Sequence, residues 1–165
     1  MIYILSGNIR TGKTTTLLEW SRKRVDVDGI LCPDNKEGKR YFLEINSQNE
    51  FALEVERDSI INQDEIIQIG PFQFLKPAFQ KANDYLVETI KKKEFKYLII
   101  DELGKLELEN EGLHVSAKKI IKAYESDDKH HLILVARTSL LKEIIQKYQI
   151  SKYELIEKDN LTMLK

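Results

Sequence analysis

The chain has 165 residues, 26 Lys plus Arg against 27 Asp plus Glu, and a formal net charge of -1. That length suits a single domain with a real buried core, and the near-neutral balance excludes bulk electrostatic attraction to nucleic acid or a membrane surface. A lone cysteine, Cys32, excludes an internal disulfide and reads as a small apolar filler; no apolar stretch approaches the ~20 residues of a membrane span, no signal peptide precedes the first strand, and a cytoplasmic location is expected.

In chain order, Ile2 to Ser6 is a short apolar run of the kind buried on both faces of a parallel sheet. A glycine-bounded turn follows, then a helix carrying Leu17, Leu18 and Trp20, with Trp20 read as core and Arg22-Lys23-Arg24 as a dipole-matched helix end. Between Asp28 and Gly70 the period shifts to two. Gly29 to Leu31, Tyr41 to Ile45, a polar turn at Asn46 to Asn49, and Phe51 to Val55 predict a hairpin-rich insert, in which Phe51, Leu53 and Val55 alternate with Ala52, Glu54 and Glu56. Helical spacing returns after Gly70-Pro71: Leu75, Ala78, Phe79, Ala82, Leu86 and Ile90 share one stripe, Pro77 falls in the first turn and Lys91 to Lys93 close the helix.

A buried strand over Tyr97 to Ile100 then delivers Asp101 and Glu102 at its C-terminal end. A helix with Leu113, Ile120, Ile121 and Tyr124 leads to the strand Leu132 to Ala136. Ser139 is expected to cap a helix bearing Leu141, Ile144, Ile145 and Tyr148, before a last strand around Tyr153 to Ile156. Strands alternating with helices predict an α/β fold over residues 1–165: a mostly parallel sheet with helices on both faces and an antiparallel hairpin insert.

The chemistry concentrates in two motifs. Gly7-Asn8-Ile9-Arg10-Thr11-Gly12-Lys13-Thr14, continued by Thr15, is a full G-x-x-x-x-G-K-S/T phosphate loop, or Walker A motif, in strand-to-helix context. Gly7 and Gly12 let the backbone bend until its N–H groups converge on an anion, and the helix start adds its positive dipole end. Residues Gly7 through Thr15 are therefore expected to cradle the phosphates of a nucleoside triphosphate such as ATP or GTP. Lys13 reaches the β and γ phosphates, and the Thr14 hydroxyl coordinates Mg2+.

The strand ending in Asp101-Glu102 is a candidate Walker B motif: the first carboxylate holds magnesium and the second takes a proton from the attacking water. A cation is still needed for the charge that develops on the transferred phosphoryl group. Arg137, just past the Leu132 to Ala136 strand, is the best candidate, against the alternative of a helix-flanking surface arginine. Arg10 and the Lys39-Arg40 pair are further cations in range, with Arg40 read rather as a solvated hairpin residue. Lys105 either approaches the site or offsets Glu102, Glu107 and Glu109. His114, His130 and His131 lack the spacing of a metal cluster and read as surface or strand-end residues. No motif reveals a base preference.

Together, Gly7 to Thr15, Gly29 to Arg40 and Asp101-Glu-Leu-Gly-Lys-Leu-Glu107 resemble the small nucleoside-triphosphatase family first typified in thermophiles, which includes the vertebrate cancer-related nucleoside triphosphatase. The resemblance spans nearly the whole chain and is closest at Asp101 to Leu108. It departs at Cys32-Pro-Asp-Asn-Lys36, where the family carries a threonine and an E-V-R run, and at Glu37-Gly38, where it doubles the glycine. The resemblance implies a P-loop core related to the RecA and AAA+ class, broad magnesium-dependent triphosphate hydrolysis, and an extra strand, here Leu132 to Ala136, between the two motif strands. Such a strand brings Arg137 beside the γ phosphate. A small-molecule or nucleotide kinase using the Ile30 to Val55 region, and a nonenzymatic nucleotide switch, are the competing readings.

Overall fold

The apolar runs of the sequence become the middle of one seven-stranded sheet. The computed structural model describes residues 1–57 and 61–164, so the stretch of the expected insert at 58–60 lies outside the described residues. In chain order the elements are β1 (Ile2–Gly7), α1 (Lys13–Ser21), β2 (Val27–Leu31), β3 (Tyr41–Glu44), β4 (Glu50–Ala52) and β5 (Glu54–Val55). These are followed by β6 (Ile66–Ile69), β7 (Phe72–Leu75), α2 (Lys76–Lys92), β8 (Tyr97–Leu103), α3 (Lys105–Leu108), α4 (His114–Tyr124), β9 (His131–Arg137), α5 (Leu141–Tyr148) and β10 (Tyr153–Ile156).

The large sheet runs β10-β1-β9-β8-β2-β3-β4; its first five strands are parallel and β3 and β4 close the edge antiparallel. The strand β9 lies between β1, which leads into the phosphate loop, and β8, which carries Asp101 and Glu102, as the family resemblance implies. Parallel strands covered on both faces need apolar residues at every position, and the pleat sends alternate residues to opposite cores. Ile2, Ile4, Leu98, Ile100, Leu132 and Leu134 pack with α2, α4 and α5, while Leu5, Tyr97, Ile99, Ile133 and Val135 pack with Leu17 and Trp20 of α1. Trp20 is core, as its helical spacing predicts.

The strand β2 packs unusually close to β8. Gly29 has φ +131°, and a Cβ there would lie 2.1 Å from the Ile99 carbonyl oxygen, so only glycine permits this approach. The preceding Asp28 is buried, and its carboxylate accepts hydrogen bonds from the Tyr85 hydroxyl at 2.6 Å and from the N–H groups of Gly29 and Asn46. This ties β2 to α2 and to the β3–β4 turn. Burial pushes the Asp28 carboxyl up, against the pull of those three donors.

Four expectations are corrected. Helical spacing does return after Gly70-Pro71, with Pro77 in the first turn of α2, but Gly70-Pro71 itself turns a second antiparallel sheet, ordered β5-β7-β6, and Leu75 ends β7 instead of belonging to the helix. Ser139 does not cap α5; it lies in a 3-10 turn over Thr138–Leu140, and α5 has no side-chain cap. Arg24 does not serve the α1 dipole, because α1 has ended by Ser21. Its guanidinium is clamped by Asp26 at 2.7 Å, stacks over Trp20 and Tyr97, and donates to the Leu164 carbonyl. The Asp101 strand is also longer than expected, continuing to Leu103 and followed by the four-residue α3.

Candidate functional site

The loop between β1 and α1 is built by local forces. Gly12 holds φ +82° directly before the first helical residue, a conformation available to glycine at little cost. Gly7 matters for space instead, since a Cβ there would sit 3.2 Å from Thr11 Oγ1 and 3.4 Å from Lys13 Cδ. The Thr11 hydroxyl donates to the Asn8 carbonyl at 2.9 Å, and the largely buried Lys13 ammonium donates to the carbonyls of Gly7 at 3.1 Å and Asn8 at 2.6 Å. The loop thus curls around its own lysine, with Asn8, Ile9, Arg10, Thr11 and Gly12 facing solvent. Arg10, another expected cation, has φ +57° and is exposed.

The carboxylate side is built by register. Along β8 and β9, Ile100 pairs with Leu134 but Leu103 pairs with Ala136, so three steps of β8 match two of β9. This bulge falls on Asp101-Glu102 and re-aims both side chains at the C-terminal rim of the sheet. On the other side of β9, Gly7 pairs with Arg137. Arg137 therefore stands beside the first residue of the phosphate loop and beside the bulge at once. Its Nε donates to Glu102 Oε1 at 2.6 Å, with the two side chains 26% and 32% exposed, which makes it an ion-paired residue of the rim rather than a free surface arginine. Ser6 and Thr138 join the same two strand ends by a hydroxyl contact of 3.3 Å.

Asp101 is 1% exposed. One of its oxygens, Oδ2, accepts the backbone N–H of Cys32 at 3.1 Å, while Oδ1 is buried without a hydrogen-bond partner of good geometry among the described residues. Burial pushes the Asp101 carboxyl up to about 6; the Cys32 N–H, the nearby Thr14 hydroxyl and the Lys13 ammonium act in the opposite direction. The two motifs therefore meet at Thr14, Lys13 and Asp101. No group of three or more His, Cys, Asp or Glu side chains that could hold a metal ion occurs among the described residues. The histidines lie outside the site: His130 pairs with Asp127 at 2.9 Å and His114 with the Tyr148 hydroxyl at 3.0 Å.

Several residues take positions that the sequence alone does not reveal. Cys32 supplies its N–H to Asp101, while burial and then the Asp101 charge push its thiol well up, leaving a neutral apolar wall. Arg40 is not a solvated hairpin residue. Its guanidinium stacks 5.0 Å from the Phe72 ring centroid and 5.5 Å from that of Phe74, and it lines a cavity that also includes Asp101, Glu102, Lys105 and Arg137. Lys105 thus approaches the site. Glu107 lines the same cavity, but it is buried in α3, where its carboxylate is taken up by the N–H groups of Gly104 and Leu113 at 2.8 Å each.

A phosphate loop on β1, an acidic bulge on β8 and an arginine on the strand between them define a P-loop NTPase fold. The chain belongs to the NTPase family, whose sequence model matches residues 2–164. Among solved structures it is similar to the crystal structure of THEP1 from the hyperthermophile Aquifex aeolicus, with a TM-score of 0.72 and 15% identity over 100% of this chain and 97% of that one. It is also similar to the solution structure of a human cancer-related nucleoside triphosphatase, with a TM-score of 0.67 and 15% identity over 99% of this chain and 94% of that one. At such identities the likeness is one of fold. No curated protein matches the chain. Among the described residues no helix is long and apolar enough to cross a membrane.

Proposed function

We propose that the protein hydrolyses nucleoside 5'-triphosphates, ATP and GTP among them, to diphosphate and phosphate with Mg2+ as cofactor, as a cytoplasmic enzyme. The observation that carries this reading is the Glu102–Arg137 pair at 2.6 Å, held by a bulge on one side and by the Gly7 register on the other. A carboxylate and a guanidinium at the mouth of a phosphate loop are the two groups that water attack on a γ phosphate requires.

In this reading the backbone N–H groups of Gly7 to Thr15 hold the β and γ phosphates, and Lys13 turns its ammonium from the loop carbonyls to their oxygens. The residues present fit a magnesium ion, which would be held by Asp101, with its unpartnered buried oxygen Oδ1, and by the neighbouring Thr14. The chemistry such an ion would supply is neutralisation of phosphate charge and polarisation of the phosphoryl oxygens. Arg137 exchanges part of its contact with Glu102 for the γ-phosphate oxygens, on which charge grows toward the transition state. That frees the Glu102 carboxylate to orient water in line and accept its proton. The bond from phosphorus to the β-γ bridging oxygen breaks, with the electron pair leaving on the diphosphate.

The test is phosphate release from a panel of nucleoside triphosphates with magnesium and no added acceptor. Release from several of them, abolished by chelating the metal, is expected. Absence of release from all of them contradicts the reading.

A further inference from the structure

The cavity beside Asp101 and Glu102 is larger than water attack requires. It measures about 290 Å3, near the roughly 300 Å3 lower end of small-molecule sites. None of Gly7 to Thr15 is among its lining residues, so it adjoins the reacting groups without being the phosphate cradle. Asp101, Glu102 and Arg137 line it, as does Glu107, whose carboxylate is engaged by the Gly104 and Leu113 N–H groups. Much of the rest of its lining is apolar and aromatic, with Phe42, Phe72, Phe74 and Phe79 as its rings, packed on one another. The β6–β7 hairpin supplies two of these rings, which turns the antiparallel insert into the outer wall of a pocket.

Two cations also line it, and neither Arg40 nor Lys105 is ion-paired among the described residues. Arg40 is held by stacking on Phe72 and Phe74, which leaves the edges of its guanidinium free to donate. Aromatic rings for a flat body, two uncommitted cations for an anion, and a carboxylate that meets the γ phosphate together describe an acceptor site.

We propose that this cavity binds a nucleoside monophosphate and that the protein transfers the γ phosphoryl group to it, water being the acceptor when the cavity holds none. The base stacks on the phenylalanine wall, and the monophosphate lies between Arg40 and Lys105 facing the γ phosphorus. A monophosphate oxygen attacks that phosphorus and forms the new O–P bond. The bond from phosphorus to the β-γ bridging oxygen breaks, with its electron pair staying on the departing diphosphate, and Glu102 takes the proton of an acceptor oxygen that carries one. The products are two nucleoside diphosphates. This inference rests on the triphosphatase reading, which places the γ phosphate at Glu102.

The experiment uses the full chain with magnesium, ATP labelled at the γ phosphate, and AMP, GMP, CMP or UMP added in turn, reading label in inorganic phosphate and in each diphosphate. Label is expected in the diphosphate of at least one acceptor, with less label in phosphate. Phe72→Ala is expected to lower transfer by about tenfold or more while acceptor-free phosphate release stays within about twofold, and Phe72→Tyr, which keeps the ring, to retain transfer. Labelled phosphate with no labelled diphosphate from any of the four overturns the acceptor site and leaves the triphosphatase reading standing. Equal transfer by wild type and Phe72→Ala overturns the cavity as its location. Label in neither product overturns both.

Discussion

The two sides of the candidate site are made in opposite ways. The phosphate loop comes from consecutive residues, faces solvent over Asn8 to Gly12, and is shaped by the backbone angle of Gly12 and by hydrogen bonds among Gly7, Asn8, Thr11 and Lys13. The carboxylate side draws Cys32, Arg40, Asp101, Glu102, Lys105 and Arg137 from distant stretches of chain, and its key carboxyl is 1% exposed. A locally built site can lose its chemistry and keep its fold, whereas a site built by register stands or falls with the sheet.

The largest effect that this contrast predicts is on the loop side. Lys13→Ala removes the only cation enclosed by the loop, and turnover should fall on the order of 1000-fold while thermal stability changes little. Phosphate release and a melting curve on one preparation check it, and a folded variant with near-normal turnover breaks the loop assignment.

Gly29→Ala should show the opposite pattern on the register side. The new methyl meets backbone at Ile99 and φ +131° strains any side chain, so a loss of about 3 kcal/mol and a fall in Tm of roughly 10 °C are expected. Because β2 positions the Cys32 N–H on Asp101, turnover should fall with stability even below the melting range. Unchanged Tm would remove close β2–β8 packing from the account.

Arg137→Ala should lower turnover at saturating nucleotide on the order of 100-fold, equivalent to about 2.7 kcal/mol, and weaken nucleotide binding far less, since the guanidinium acts on charge that develops in the transition state. Equal rates for wild type and variant would leave Arg137 only a structural partner of Glu102. The smallest effect is at Tyr85→Phe, which deletes the hydroxyl donor to buried Asp28. About 1 kcal/mol of stability should be lost with turnover unchanged, as denaturant unfolding and phosphate release can show.

What was legible in the sequence follows the same division. The position of the loop could be read because its turn depends on glycines at fixed spacing between a strand and a helix, and that of Asp101-Glu102 because an apolar strand delivers them. The place of Arg137 followed from strand order, which the resemblance supplied. The β6–β7 hairpin was hidden because Gly70-Pro71 marks a turn in either reading; the alternation of Phe72 and Phe74 around Gln73 was its one local signal, and the helical stripe beginning nearby masked it. Arg40 could not be placed without that hairpin, since the rings that hold it lie more than thirty residues downstream. Arg24 looked like a helix end because basic residues so often are, whereas its partners Tyr97 and Leu164 are remote in sequence. Ser139 has the identity of a cap, but the chain enters α5 through a 3-10 turn instead.

In the proposed hydrolysis Glu102 activates water for attack on a triphosphate held by the loop. This role is tested most directly by Glu102→Gln, which keeps the shape of the side chain and removes its basicity. Nucleotide affinity by calorimetry and phosphate release without acceptor should be measured on the same preparation. Affinity close to wild type with turnover reduced on the order of 100-fold or more is the predicted result. Undiminished phosphate release from the variant would contradict it.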